Sequence, residues 1–161
     1  MKNMMLPAKS CSILLCALLL LAAGCKKEDP ETFVSDIVRP IWTVPSDYDV
    51  TSSMTAVVKV DLKAQYPDKA ADFVLDDNDL LAAFSGETCL GTASPQDGLF
   101  FLYVAGVNEK MGNEQMVNLK YYSAHYKNLF QAKDTIPFRN ETNLGTVAEP
   151  FIPHFVITNR F

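Results

Sequence analysis

The sequence predicts an all-β protein, an antiparallel β-sandwich of the immunoglobulin or jelly-roll kind with about seven to nine strands. Three observations carry that expectation. Short runs of strand-forming residues recur roughly every 8–15 residues. Clusters of Gly, Asn, Asp and Pro separate these runs, and no long amphipathic helix interrupts the series. The sequence holds no internal repeat.

Taken in order, the elements begin with Phe33, Val34, Ile37 and Val38, followed by Pro40-Ile41-Trp42-Thr43-Val44-Pro45. Two prolines make this an edge or entry segment rather than a central strand. Met54, Ala56, Val58, Val60 and Leu62 then alternate with Thr55, Lys59, Asp61 and Lys63, and Val57 alone breaks the period of two. That spacing predicts a half-buried strand. Residues 64–75 have room for one helical turn inside a loop, and Asp76-Asp77-Asn78-Asp79 reads as a turn. A continuous apolar run at 80–84, the tight turn Ser85-Gly86-Glu87 and a return run at 88–93 predict a hairpin. Pro95-Gln96-Asp97-Gly98 turns the chain again. Residues 99–104, apolar throughout, predict a central strand buried on both faces. Past a polar loop at 108–113, Val117, Leu119 and Tyr121 alternate with Asn118, Lys120 and Tyr122. Shorter strands at 129–132 and 135–138, a turn at 140–143 and a closing strand at 151–157 complete the series.

The first 25 residues have a different character. Lys2 and Lys9 give a basic start, and an apolar run from Cys11 to Ala23 is broken only by Ser12. This run is too short to span a bilayer, which takes ~20 apolar residues as a helix. A basic start, a run of this length and small residues at its end describe a secretory signal. Leu21-Ala22-Ala23-Gly24-Cys25 resembles the bacterial lipoprotein signal, in which the cysteine thiol receives diacylglycerol and cleavage falls just before it. Ala22 departs from the leucine common at its place, and Leu21 stands one position early. The resemblance implies a lipidated Cys25, a signal at 1–24, a flexible tether at 25–40 and a sandwich domain at 41–161. With two or three acyl chains such an anchor is effectively permanent, since each buried CH₂ contributes ~0.8 kcal/mol. The charged Lys26-Lys27-Glu28-Asp29-Pro30-Glu31 is either a plain solvated spacer or, by its resemblance to the acidic export signal of Bacteroidota surface lipoproteins, an address for outward display.

Composition narrows the function. Removing 24 residues from 161 leaves 137, which suits one domain with a real core. Lys2 and Lys9 leave with the signal, so 12 Lys and Arg face 19 acids, a formal charge of −7. An acidic exterior argues against nucleic acid and against charge-driven binding to anionic headgroups. Cys11 and Cys16 also leave, so a lipidated Cys25 strands Cys89 without a disulfide partner. Cys89 then reads as a small buried hydrophobe. His125 and His154 share no zinc motif, and neither a G-x-S-x-G elbow nor a phosphate-cradling glycine loop is present. No catalytic residue, resident metal or cofactor is expected.

Asp79–Ala93 (D-L-L-A-A-F-S-G-E-T-C-L-G-T-A), with L-F-F-L-Y-V at 99–104, N-L-K-Y-Y-S-A at 118–124 and L-G-T-V-A-E-P-F at 144–151, resembles one module. It is similar to a module of Bacteroidota surface lipoproteins and multi-domain extracellular proteins, and covers roughly residues 50–155. Leu90 departs from the basic residue common after the cysteine. The resemblance implies a β-sandwich with an adhesion-like or carbohydrate-associated role and no agreed catalytic residues.

The expected protein is therefore a lipid-anchored, non-enzymatic binding module at the outer membrane, displayed on the outer face in one version. It binds a glycan or a protein; the alternative is an accessory subunit of an outer-membrane complex, with a glycan hydrolase a distant third. Three aromatic residues are candidate ligand contacts. Trp42 is either a core or rim anchor or a ligand platform. Tyr121 and Tyr122 face opposite ways on a strand, so one is core and the other exposed, and Tyr122 with Tyr126 forms a candidate stacking site. The alternative is sandwich packing. Asp76, Asp77 and Asp79 are a weak calcium candidate, although they lack the glycine and distal glutamate of an EF-hand loop; the other reading is an Asp-rich turn. Asp134-Thr135-Ile136 resembles the O-glycosylation motif of exported Bacteroidota proteins, which makes Thr135 the candidate acceptor.

Overall fold

A computed structural model describes residues 33–46, 52–106 and 115–158. The signal segment, Cys25 and the polar loop at 108–113 lie outside the described residues. The expected all-β antiparallel sandwich is what the chain forms. Ten strands are present among the described residues: β1 (Ser53–Val58), β2 (Leu80–Ser85), β3 (Thr88–Ala93), β4 (Pro95–Gln96), β5 (Leu99–Ala105), β6 (Met116–Ser123), β7 (Asn128–Ala132), β8 (Ile136–Pro137), β9 (Asn143–Leu144) and β10 (Phe155–Ile157). They form a four-stranded sheet in the order β4-β5-β1-β9 and a larger sheet in the order β10-β7-β6-β2-β3, with β8 also paired to β6. Neighbours are antiparallel except β1 and β9, which run parallel with Thr55 opposite Asn143.

The chain changes sheets at Ser94, between β3 and β4. One crossing needs a glycine. A β-carbon added to Gly91 would lie 1.9 Å from the Tyr103 carbonyl oxygen, so β3 meets β5 backbone to backbone. The β4–β5 connection is a two-residue turn with Asp97 at φ 51° and Gly98 at φ 81°, the left-handed pair that matches the twist of a hairpin.

Between the sheets lies the main core. It includes Met54, Ala56 and Val58 of β1, Leu81 and Ala83 of β2, Phe100, Leu102 and Val104 of β5, Val117, Leu119 and Tyr121 of β6, and Phe130 and Phe155. The strand expected to run through Leu62 stops at Val58. The reason is Asp61: its carboxylate accepts from the Ala64 N–H at 3.0 Å and caps a single helical turn, α1 (Leu62–Gln65), whose Leu62 is fully buried.

One expectation about the faces is corrected. β5 is not buried on both sides: Phe100, Leu102 and Val104 point inward, while Phe101 and Tyr103 stay 45% and 49% exposed. The strand covered on both sides is β2. Its Leu81 and Ala83 enter the main core, and its Leu80, Ala82 and Phe84 lie beneath an N-terminal strap of residues 33–44. The strap also moves the start of the body forward from residue 41. Phe33 is buried among Tyr66, Tyr126 and Phe130, with ring centroids 5.2, 4.7 and 5.6 Å away. Residues 33–40 are thus held to the body, because an aromatic ring gains more in that nest than a solvated tether would.

Candidate functional site

The outer face of the four-stranded sheet carries the candidate site. Strand β5 reads L-F-F-L-Y-V-A, and its period of two sends Phe101 and Tyr103 to the same outer side, two residues apart. Val57 of β1 pairs with Phe101, and Thr55 pairs with Tyr103, so both share that side. Gln96 of β4 pairs with Leu99 at one flank, and Asn143 of β9 pairs with Thr55 at the other. The Thr55 hydroxyl donates to the Asn143 Oδ1. The result is an open face with two half-exposed aromatic rings flanked by amide and hydroxyl groups. The backbone beneath it is fixed, because the Tyr103 carbonyl is the atom pressed against Gly91.

The residues expected from sequence to contact a ligand are elsewhere. Tyr122 is 5% exposed; it lies under the strap on the opposite outer face and donates its hydroxyl to the Ile37 carbonyl at 3.1 Å. The expectation that one of Tyr121 and Tyr122 is exposed fails because the strap covers the second face. Tyr126 is 2% exposed, with its ring against Phe33 and stacked on Phe73, and its hydroxyl donates to Asp72 Oδ1 at 2.9 Å. Burial and that hydrogen bond hold its phenol well above the usual tyrosine range. Neither ring offers a face to a ligand. Trp42 is half-buried and meets Phe84 edge-on at 5.5 Å, closing the strap over Ala82, Phe84 and Cys89, so it is a rim anchor.

The acidic cluster divides. Asp79 is fully buried and accepts from the Tyr121 hydroxyl at 2.6 Å, the Ala124 N–H at 2.7 Å and the Asp76 N–H at 3.1 Å. Asp76 instead turns to the backbone and side-chain nitrogens of Asn78, and Asp77 is exposed. The arrangement matches the other reading, an Asp-rich turn, because the Asp76 and Asp79 carboxylates already serve local donors. Among the described residues, no group of three or more His, Cys, Asp or Glu side chains is placed to hold a metal ion. Burial pushes the Asp79 carboxyl above its ordinary value against the pull of its three donors. The same burial, with Asp79 beside it, drives the Tyr121 phenol far upward.

His125 is exposed, edge-on to Tyr126 and 3.4 Å from Asp72, while His154 lies exposed near Tyr66. Cys89 is buried, donates weakly to the Gly91 carbonyl at 3.7 Å, and has its thiol pushed up by burial, as a small hydrophobe would. Thr135 is exposed in the connection between β7 and β8. Among the described residues no helix is long and apolar enough to cross a membrane.

Phe101 and Tyr103 escaped the sequence reading because an unbroken apolar run hides its own alternation. The available signal was Tyr103, whose polar tip at an odd position of the run suits a wetted face better than a sealed one. No known protein family, curated protein or solved structure matches the chain.

Proposed function

We propose that this chain is a lipid-anchored, non-enzymatic binding module of the outer membrane, held by Cys25, and that its ligand is a glycan lying on the open face of the four-stranded sheet. The observation that carries the reading is the exposed pair Phe101 and Tyr103 on a rigid strand. A sugar ring presents C–H groups on one face and hydroxyls at its rim. Two aromatic rings flanked by Gln96, Thr55 and Asn143 match that mixture better than they match the broad apolar centre of a protein interface. A site built on strands also costs little ordering on binding.

The test is a glycan panel probed with the acylated protein and with the Phe101→Ala, Tyr103→Ala double variant. Because both rings are half-exposed, the variant keeps its fold, while affinity falls by at least about tenfold, in the range of truncated anchor residues. Binding that survives in the double variant, or no ligand anywhere in the panel, sinks the glycan reading. One stoichiometric partner recovered by cross-linking in intact cells then makes the chain an accessory subunit of an outer-membrane complex.

A further inference from the structure

The strap has two sides. Phe33, Ile37 and Trp42 pack onto the body, and Val34, Val38 and Ile41 leave it, at 63%, 84% and 90% exposure. The exposed set is not a loose end. The Ser35 N–H donates to the Tyr126 carbonyl at 2.9 Å and the Ile37 N–H to the Lys127 carbonyl at 3.0 Å. Asn128 Nδ2 donates to the Phe33 carbonyl at 3.0 Å, and Arg39 Nε donates to the Asn78 carbonyl at 2.8 Å. Three aliphatic side chains within eight residues are thus held out in water on a fixed backbone. Scattered single apolar residues on a surface need no explanation, but three exposed aliphatic residues along one pinned segment of eight call for one.

We propose that Val34, Val38 and Ile41 rest on the lipid surface that carries the protein, so that the strap is a membrane-docking edge. The inference depends on the acylated Cys25 of the functional reading. Its argument is chain length. Residues 26–32 alone separate Cys25 from Phe33, and eight steps of fully extended chain reach about 28 Å. An acyl group in the bilayer therefore keeps the strap at high effective concentration beside the lipid, and a weak apolar contact suffices to hold it there. The chemistry is aliphatic insertion at the level of the headgroups. It is not charge attraction, since the acidic chain gains nothing from anionic lipid.

Trp42 is the only tryptophan in the chain and follows Ile41 directly, which makes it a built-in reporter. The acylated protein, purified from membranes, is reconstituted into phosphatidylcholine vesicles with and without brominated acyl chains. Docking lowers Trp42 emission in the brominated vesicles to about half, the bromines sitting within the depth that interfacial side chains reach. The Val38→Asp, Ile41→Asp double variant restores full emission with an unchanged thermal melt, and raising salt from about 0.05 to about 0.5 M leaves the quenching in place. Unquenched wild-type emission from protein that floats with the vesicles overturns the inference and gives the strap to a protein partner or a second copy. Failure of the anchor reading looks different: the protein stays in the aqueous phase on detergent partition and never floats with vesicles at all.

Discussion

Gly91 and Tyr103 hold the two sheets together at a point where no side chain fits. The nearest heavy atom to a β-carbon on Gly91 is a backbone oxygen, which no rotamer change can move. The same oxygen belongs to the residue whose ring forms half of the candidate binding face. Packing between sheets and the presentation of that ring are therefore one constraint.

Gly91→Ala is expected to destabilise the protein by about 3 kcal/mol or more, at the upper end of overpacking costs. Gly98→Ala is the control. It has open space around it and a φ of 81°, so it is expected to lose only about 1 kcal/mol, from backbone strain. Urea denaturation of both variants checks the order.

Phe33→Ala should cost about 3 kcal/mol, as for other buried rings cut to alanine. The ring lies within 6 Å of Tyr66, Tyr126 and Phe130, and its loss opens a hole beneath the strap. A thermal melt unchanged by the substitution would return residues 33–40 to the status of a tether.

Much of the fold was readable because alternation is printed directly in the chain. The period of two from Met54 to Val58, the hairpin around Gly86 and the Asp97-Gly98 turn all follow from local rules. What could not be read was which outer face is covered. That depends on where residues 33–44 lie, and a segment interrupted by Pro40 and lacking a ladder carries no register. The strap decided three outcomes at once: Tyr122 became buried, β2 became the doubly covered strand, and the sheet face left open was the one bearing Phe101 and Tyr103. Tyr126 is hidden for a related reason. A tyrosine in a polar turn looks exposed until Phe33 and Phe73, 93 and 53 positions away, are seen to enclose it.

The Cys89 thiol is buried beneath Trp42, so its reaction with a maleimide reports opening of the strap. Labelling of the peptide that contains Cys89, followed by mass spectrometry, is expected to be slow in the wild type. Trp42→Ala should speed it by at least about tenfold, the effect of lowering a local opening free energy by ~1.4 kcal/mol. Equal rates would mean that the cover over Cys89 is not the strap.

Asp79 gives a pH signature. Its folded-state pKa is raised above the ordinary 3.8 by burial, so the folded state takes up the proton more readily than the unfolded chain. The stability linked to this group is fully present below the unfolded pKa and is lost as pH rises through the raised folded value. Asp79→Asn cannot titrate. The stability of wild type relative to that variant is therefore expected to be greatest in acid and to decline upward from about pH 4, measured by urea unfolding at a series of pH values. A difference that grows with pH would show that the three donors outweigh burial.

The parallel pairing of β1 with β9 joins Thr55 to Asn143, 88 positions later, and Gln65 and Tyr66 of the neighbouring turn reach the carbonyls of Pro153 and Phe155. A chain made from its amino end therefore presents its first strand long before this mate exists. The hairpins β2–β3, β4–β5 and β6–β7 can close locally, but the seam between β1 and β9 closes only near the end of the chain.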